Sequence, residues 1–375
     1  MMLYIDQTQR ANVTDPLFGD NHLTLIRWIL ASAVAFGHSW SLTTGFDPFR
    51  IHDFTLSYLA VNGFFILSGL LIAKSLHHQA SYKSYFVSRG LRIYPALIIA
   101  VLSFPLFFSP LFSADGGVHK IFLLENWQYV FGVLTLGDPE FAPGGIFANH
   151  LDPDFNGPLW TIRYELLAYC GAALLAYLGL SKRPTPVFCI LLLVICGGLS
   201  LNLWPIELLP TGMASLFRLS ACFLIGMLIW HWPKRAQLSW WAVGGAWVLF
   251  LLFGGTLFGE LSANLMLVAM LMKFGLPQTA NARCVKLPDY SYGIYIWHYP
   301  VMQAILSVQM DLNPMALLLI STPVYILLAG MSWHFIERPA LKLKKKSSHS
   351  LKTPTEPAYE EGSAVQASVK AQLPH

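Results

Sequence analysis

Charge is what this sequence lacks. Of its 375 residues only 12% are Asp, Glu, Lys or Arg, about half the share a water-soluble domain carries. A chain this long with 55% hydrophobic residues cannot cover a water-facing surface, and the same composition excludes disorder and collagen-like repeats. Cysteine is scarce as well. The five (Cys170, Cys189, Cys196, Cys222, Cys284) form an odd set. Four of them lie in apolar runs, so they read as small packing residues and not as a disulfide framework or zinc site. The net charge of +4 gives no basis for a nucleic-acid partner. No phosphate-binding glycine loop, Gly-x-Ser-x-Gly elbow or Ser-x-x-Lys motif is present. No internal repeat is found, which weighs against several transporter architectures. Residues 1–22 are polar and carry Asp6, Arg10, Asp15 and Asp20, so no cleavable signal peptide is expected.

What is present is a succession of apolar runs. A membrane-spanning helix needs roughly 20 mostly apolar residues. Ten candidates follow: 23–43, 55–76, 91–113, 158–180, 186–206, 210–230, 239–258, 262–278, 290–309 and 314–336. Segment 121–136 is weakly apolar but holds Glu125, Asn126 and Gln128, and reads as an interfacial piece of a loop. With the N-terminus in the cytoplasm, alternation puts 18 of the 24 Lys and Arg residues on the cytoplasmic side and two, Arg50 and Lys120, outside; Arg27, Arg163, Arg218 and Lys273 fall within spans. This is the asymmetry that orients membrane proteins. The expected fold is an all-α, polytopic bundle of about ten transmembrane helices with both termini cytoplasmic. Its parts are a cytoplasmic segment at 1–22, a membrane domain at 23–342 with a long extracytoplasmic loop at 114–157, and a disordered Lys-, Ser- and Pro-rich cytoplasmic tail at 343–375.

Ionisable residues inside spans are costly and point to function. Arg27 and His38 lie eleven residues apart, three helical turns, so they share a face about 16 Å apart along the axis. The alternative is a snorkelling arginine and a packing histidine. Arg89 and Arg92 are neighbours at i and i+3 at the cytoplasmic mouth of span three, a pairing that suits bidentate phosphate binding or plain anchoring. Gly157-Pro158-Leu159-Trp160-Thr161-Ile162-Arg163-Tyr164-Glu165 opens span four. Glu165 sits about 10 Å deep, where it can meet His38 as a carboxylate that fixes the imidazole, and Tyr169 shares its face. A structural ion pair with Arg163 or Arg218 is the competing reading. His298, before Pro300 in span nine, falls on the inner half and is either structural or catalytic. Asn62-Gly63-Phe64-Phe65-Ile66-Leu67-Ser68-Gly69 suits close helix packing. Glu337-Arg338-Pro339 reads as a helix stop with an ion pair. His150, Asp152 and Asp154 are too few for a metal site.

These residues together resemble the acyltransferase-3 family of membrane O-acyltransferases, which decorate bacterial envelope and exported glycans. The carrying elements are Arg27 with His38, Phe64 to Gly69, Arg89 and Arg92 with Ile93-Tyr94-Pro95, Leu159-Trp160-Thr161 with Glu165, Ser291-Tyr292 through Trp297-His298 with Pro300, and Glu337 with Pro339. They come in the family's order across nearly the whole membrane region. Ala60-Val61-Asn62-Gly63 departs from the glycine-valine-aliphatic run that resemblance leads one to expect. The resemblance implies transfer of an acyl group, acetyl by default, from cytoplasmic acyl-CoA to a glycan or lipid-linked sugar hydroxyl. It implies Arg27 and His38 as the catalytic signature and Arg89 and Arg92 as the cytoplasmic donor site. Together with the reading of the residues, the expected catalytic set is His38 as general base, Arg27, and Glu165 orienting His38 or the sugar, and the expected donor-binding set is Arg89, Arg92 and His298. It implies no metal, no nucleic acid, lipid contact and a bacterial inner membrane. Some relatives carry a fused extracytoplasmic hydrolase-like domain; with about 39 residues after the last span, a standalone membrane module is expected here. The competing class is a transporter, which buried arginine and histidine would also suit.

Overall fold

The structure is a computed structural model and describes residues 21–78, 81–113, 115–136, 145–203, 212–232, 234, 237–276 and 287–349. Its helices are α1 (Leu23–Thr44), α2 (Leu56–His78), α3 (Tyr82–Ser103), α4 (Ser109–Phe112), α5 (Leu124–Leu136), α6 (Trp160–Tyr177), α7 (Pro184–Leu203), α8 (Met213–Trp230), α9 (Trp240–Phe253), α10 (Gly259–Gly275), α11 (Ser291–Val308), α12 (Pro314–Met331) and α13 (Arg338–His349). Strands β1 (Arg50–Ile51) and β2 (Phe54–Thr55) form a small antiparallel hairpin between α1 and α2. Each of the ten hydropathy segments falls on a helix. Among the described residues, five helical stretches, 56–77, 82–112, 184–201, 213–230 and 314–343, are long and apolar enough to cross a membrane. Large apolar side chains such as Leu193, Trp241 and Leu327 are exposed on the outside of the bundle, where hydrocarbon suits them and water would not. This is an all-α, multi-pass membrane protein.

Three boundaries differ from the hydropathy reading. The third helix begins at Tyr82 and not near 91, because Ser81 caps it by accepting from the Ser84 amide. Lys83, Arg89 and Arg92 lower the local hydropathy without breaking the helix, so the two arginines stand two to three turns inside it and not at its mouth. The last helix does not stop at Glu337: a wide turn over Ser332–Glu337 carries the chain into α13. That turn lies where Pro339 has no amide to offer the Phe335 carbonyl. The expected tail from 343 is therefore helical as far as His349, and 350–375 lie outside the described residues. Residues 121–136, expected at the interface, form the end of a tight turn and the 13-residue α5, about 20 Å long and too short to span.

Two features hold the site-bearing helices. At Gly69 of α2 an added Cβ would collide with the Phe223 carbonyl oxygen of α8, and at Gly226 of α8 with the Ile66 carbonyl oxygen. The two backbones therefore touch, and only glycine permits it. In α11, Pro300 supplies no amide to the Ile296 carbonyl. The side chain of Asn156 donates to that carbonyl at 2.9 Å, tying the segment before α6 to α11. Phe155 beside it is fully buried against Phe104, Phe108 and Tyr129, so this part of the long loop is packed into the bundle.

Candidate functional site

The site is built on α1 and α11. Arg27 and His38 project from one face of the unbroken α1, and both turn towards α11 or the residues just before it. At the lower level Arg27 Nη2 lies 2.7 Å from Asp289 Oδ2. Nearby, the Trp28 indole donates to the Pro288 carbonyl at 2.9 Å. At the upper level, His38 Nδ1 is 2.8 Å from His298 Nε2. Nine residues separate Asp289 from His298 and eleven separate Arg27 from His38, so the two contacts are rungs between neighbouring helices. Counting from the ends of the spans put His298 deeper towards the cytoplasm; the register with α1 puts it level with His38.

The tautomers of the histidine pair follow from the acceptor. His298 Nδ1 is 2.9 Å from the Ile294 carbonyl, and a carbonyl only accepts. That nitrogen therefore carries the proton, and the neutral ring presents a bare Nε2. His38 must then donate from Nδ1, which leaves its own Nε2 as the lone-pair nitrogen. The pair is arranged so that His38 can take a proton. His298 is fully buried, and the Tyr299 ring stands edge-on to His38.

The acidic residue that organises the lower level is Asp289. Arg92 Nη2 also lies 2.7 Å from its Oδ2, and the Ser291 hydroxyl donates to its Oδ1 at 2.7 Å. Burial alone would push this carboxyl up; Arg27, Arg92 and the Ser291 hydroxyl outweigh that and hold it at about 2. Arg92 is further braced by Glu337 at 3.8 Å, whose other oxygen accepts from the Ser332 hydroxyl at 3.0 Å. Glu337 therefore acts across the bundle.

Above this cluster is a cavity of about 220 Å³, lined among others by Arg27, Arg89, Arg92, Glu165, Tyr169 and Tyr295. Leu341 of α13 also lines it. Its lining holds three guanidiniums against one carboxylate. Asp289 and Glu337 position Arg27 and Arg92 from behind. Arg89 lies over the rings of Tyr85 and Tyr169, 5.9 Å from each centroid, and its buried Nε has no hydrogen-bond partner among the described residues. The arrangement suits an anionic, phosphate-bearing ligand.

Glu165 does not hold His38. It accepts from the Tyr169 hydroxyl, the i+4 neighbour on its own helix, and faces the arginine cavity. His298, grouped with the arginines from sequence, does not line their cavity and instead backs His38. Between cavity and histidines stands Tyr295. Its hydroxyl donates to the Pro158 carbonyl at 2.9 Å and pairs with Thr161 Oγ1 at 2.8 Å, and its ring is 6.2 Å from that of His298.

Outside this layer, His150 Nδ1 bonds Gln303 Oε1 at 2.6 Å, and the Gln303 amide donates to the carbonyls of Asp152 and Asp154. The loop histidine is thus used to seat the loop on α11. Burial, with Asp152 adding to it, pushes the Asp154 carboxyl up to about 6. A second polar cluster joins Glu260 to the Tyr58 hydroxyl and, at 3.3 Å, to Asn62. Arg218 stacks 3.9 Å from the Tyr58 ring centroid.

Asp289 and Glu260 went unread in the sequence. Asp289 is the sole acidic residue between Glu260 and Asp311, two residues before Ser291 of the Ser291-Tyr292 motif on the arginine-rich side. That position was the available signal.

A family model described as an acyltransferase domain matches residues 20–333. Nodulation protein 10 of Rhizobium leguminosarum bv. viciae is 26% identical over 355 residues, covering 86% of this chain and 94% of that protein. The O-acetyl transferase of Shigella phage Sf6 is 27% identical over 336 residues, 83% of this chain and 93% of the relative. The peptidoglycan O-acetyltransferase OatA of Listeria monocytogenes is 24% identical over 339 residues, 76% of this chain and 51% of the relative. No solved structure matches the chain.

Proposed function

The chain belongs to the acyltransferase-3 family, and on that premise we propose that it moves an acyl group, acetyl by default, from cytoplasmic acyl-CoA to a hydroxyl of an envelope or exported glycan. It is an O-acyltransferase; the donor, the acceptor and the residue roles are the proposal. The observation that carries it is the stacking of two unlike sites. A cavity with three guanidiniums opens below Tyr295, and a histidine with a bare Nε2 lies above it. The first suits the phosphates of CoA; the second suits an acceptor hydroxyl.

In this reading ten spans place both termini in the cytoplasm of a bacterial inner membrane, as the 18-to-2 distribution of basic residues favours. The acyl arm runs from the arginines past Tyr295. His38 Nε2 removes the proton from the acceptor hydroxyl as its oxygen attacks the thioester carbonyl. The carbon–oxygen bond forms, the carbon–sulfur bond breaks, and the electron pair leaves on the CoA sulfur, which is then protonated by the imidazolium. Base catalysis of this kind contributes about 10²–10⁴ in rate, and holding both substrates in place supplies more. His298 is a positioning residue that fixes the tautomer of His38. Arg27, about 16 Å along α1 from His38 and held by Asp289, binds the donor in the arginine cavity and does not reach the reacting carbonyl. Glu165 acts in the donor cavity and not on His38.

The test is acyl transfer in membrane vesicles with label in the acyl group of acetyl-CoA. Label appears in an alkali-labile glycan ester only when the intact protein is present and acetyl-CoA is supplied on its cytoplasmic face. Protein-dependent movement of a solute with no labelled ester would favour the transporter reading instead.

A further inference from the structure

We propose that a second cavity on the cytoplasmic side binds the adenine nucleotide end of the donor, an inference that rests on the acyl-CoA reading above. This cavity, about 450 Å³, lies between the C-terminal end of α2, the start of α3, the α6–α7 connection and the end of α8. Its lining includes His77, Ser81, Tyr82, Tyr85, Lys182 and Trp230, and no carboxylate is among the lining residues.

The two cavities are linked through one tyrosine. Tyr85 lines the second cavity, is fully buried, and its hydroxyl donates to the Tyr169 carbonyl at 3.0 Å. Tyr169 lines the first cavity. Arg89, in the lining of the first, stacks over both tyrosine rings. A ligand with an anionic junction at Arg89 therefore has a cavity of about 220 Å³ beside it and one of about 450 Å³ beyond Tyr85. The smaller suits the arm of the donor, and the larger the nucleotide joined to it through a diphosphate.

The larger cavity has the chemistry for the nucleotide. Tyr82 is 44% exposed and stands edge-on to Tyr177, ring centroids 6.2 Å apart, so part of its ring is open to a base. Trp230 lies tilted at 53° to His77, ring centroids 5.7 Å apart. Aromatic faces of this kind accept any base by stacking. Lys182 supplies an exposed cation from the α6–α7 connection. The N-terminus of α3 also opens here with no acid in its first turn, which adds a favourable field for phosphate. A thioester lacking the nucleotide needs none of these groups.

The experiment compares acetyl-CoA with acetyl-pantetheine, which keeps the arm and thioester but lacks the nucleotide, in the intact protein and in Tyr82→Ala and Lys182→Ala. The ratio of kcat/KM for acetyl-CoA to that for acetyl-pantetheine is expected to fall about fivefold to a hundredfold on Tyr82→Ala, the range of one lost base stack. A smaller fall is expected for Lys182→Ala. A ratio within about twofold of the intact protein in both variants would overturn the site. Equilibrium binding of 3′-phosphoadenosine 5′-phosphate to the purified protein is the second arm, and it does not depend on transfer. Binding that both variants weaken, without transfer from acetyl-CoA, would sink the donor reading and leave the nucleotide site standing. No binding by the intact protein would overturn the site whatever the donor.

Discussion

His38 and His298 are 260 residues apart in the chain, yet their rings are parallel to within 4° and share a 2.8 Å hydrogen bond. Because His298 is itself bonded to the Ile294 carbonyl, the backbone of α11 sets the tautomer of a histidine on α1. Replacing His298 by Ala should leave donor binding intact and lower kcat by about 10²-fold, the lower end of what a positioned base contributes. His298→Gln, which can accept from His38 through its side-chain oxygen, should recover part of the rate. The kcat-against-KM split in steady-state kinetics checks this; a raised KM for acetyl-CoA at unchanged kcat would put His298 in the donor site instead.

Asp289 holds two guanidiniums at once. Asp289→Asn removes the close counter-charge of Arg27 and leaves Arg92 only the more distant Glu337, and removing one partner of such a buried pair costs about 3–5 kcal/mol. The thermal midpoint of the detergent-solubilised variant should fall accordingly, and the affinity for acetyl-CoA with it. Since the carboxyl is held at about 2, the stabilisation it gives is present above the ordinary aspartate range of about 4 and is lost only as pH falls from there through about 2. The difference between intact and variant protein should therefore be constant from pH 5 to 8; a difference that vanished near pH 6 would contradict it.

Asn156 and Pro300 form a linked pair through the Ile296 carbonyl. Asn156→Ala should destabilise by about 1–3 kcal/mol by stranding a buried acceptor. Adding Pro300→Ala returns a backbone amide to that carbonyl, so the double variant should be more stable than Asn156→Ala alone. Additivity of the two changes in denaturation midpoint would show that they do not share this acceptor.

Much of the local geometry was legible. The shared face of Arg27 and His38, and that of Glu165 and Tyr169, follow from helical spacing alone, and α1 and α6 are unbroken helices over those intervals. The partners were not legible. Spacing places residues on a face but does not say which helix covers that face, so it gives neither the level of His298 against His38 nor the partner of Glu165. Asp289 stands in a short connection outside any periodic pattern, and its importance appears only when α1 and α3 both reach it. The start of α3 was hidden for a different reason: a hydropathy window penalises Lys83, Arg89 and Arg92, whereas the helix answers to its cap at Ser81.

Asp154 gives an opposite pH signature. Its carboxyl is raised to about 6 by burial and by Asp152, so the folded protein binds this proton more tightly than the unfolded chain. Stability contributed by the protonated form is present below about 4, the ordinary aspartate value, and declines as pH rises through about 6. Asp154→Asn should match the intact protein near pH 4 and exceed it in thermal midpoint at pH 7 to 8. A variant less stable at pH 8 would show that the ionised carboxylate has a favourable partner.

The most direct test of the account is the rate of acyl transfer from labelled acetyl-CoA to glycan in vesicles carrying intact protein or His38→Ala at matched abundance, alongside equilibrium binding of CoA to each. The account predicts transfer reduced by about 10²–10⁴ with CoA affinity unchanged. Transfer at the intact rate in His38→Ala would contradict it.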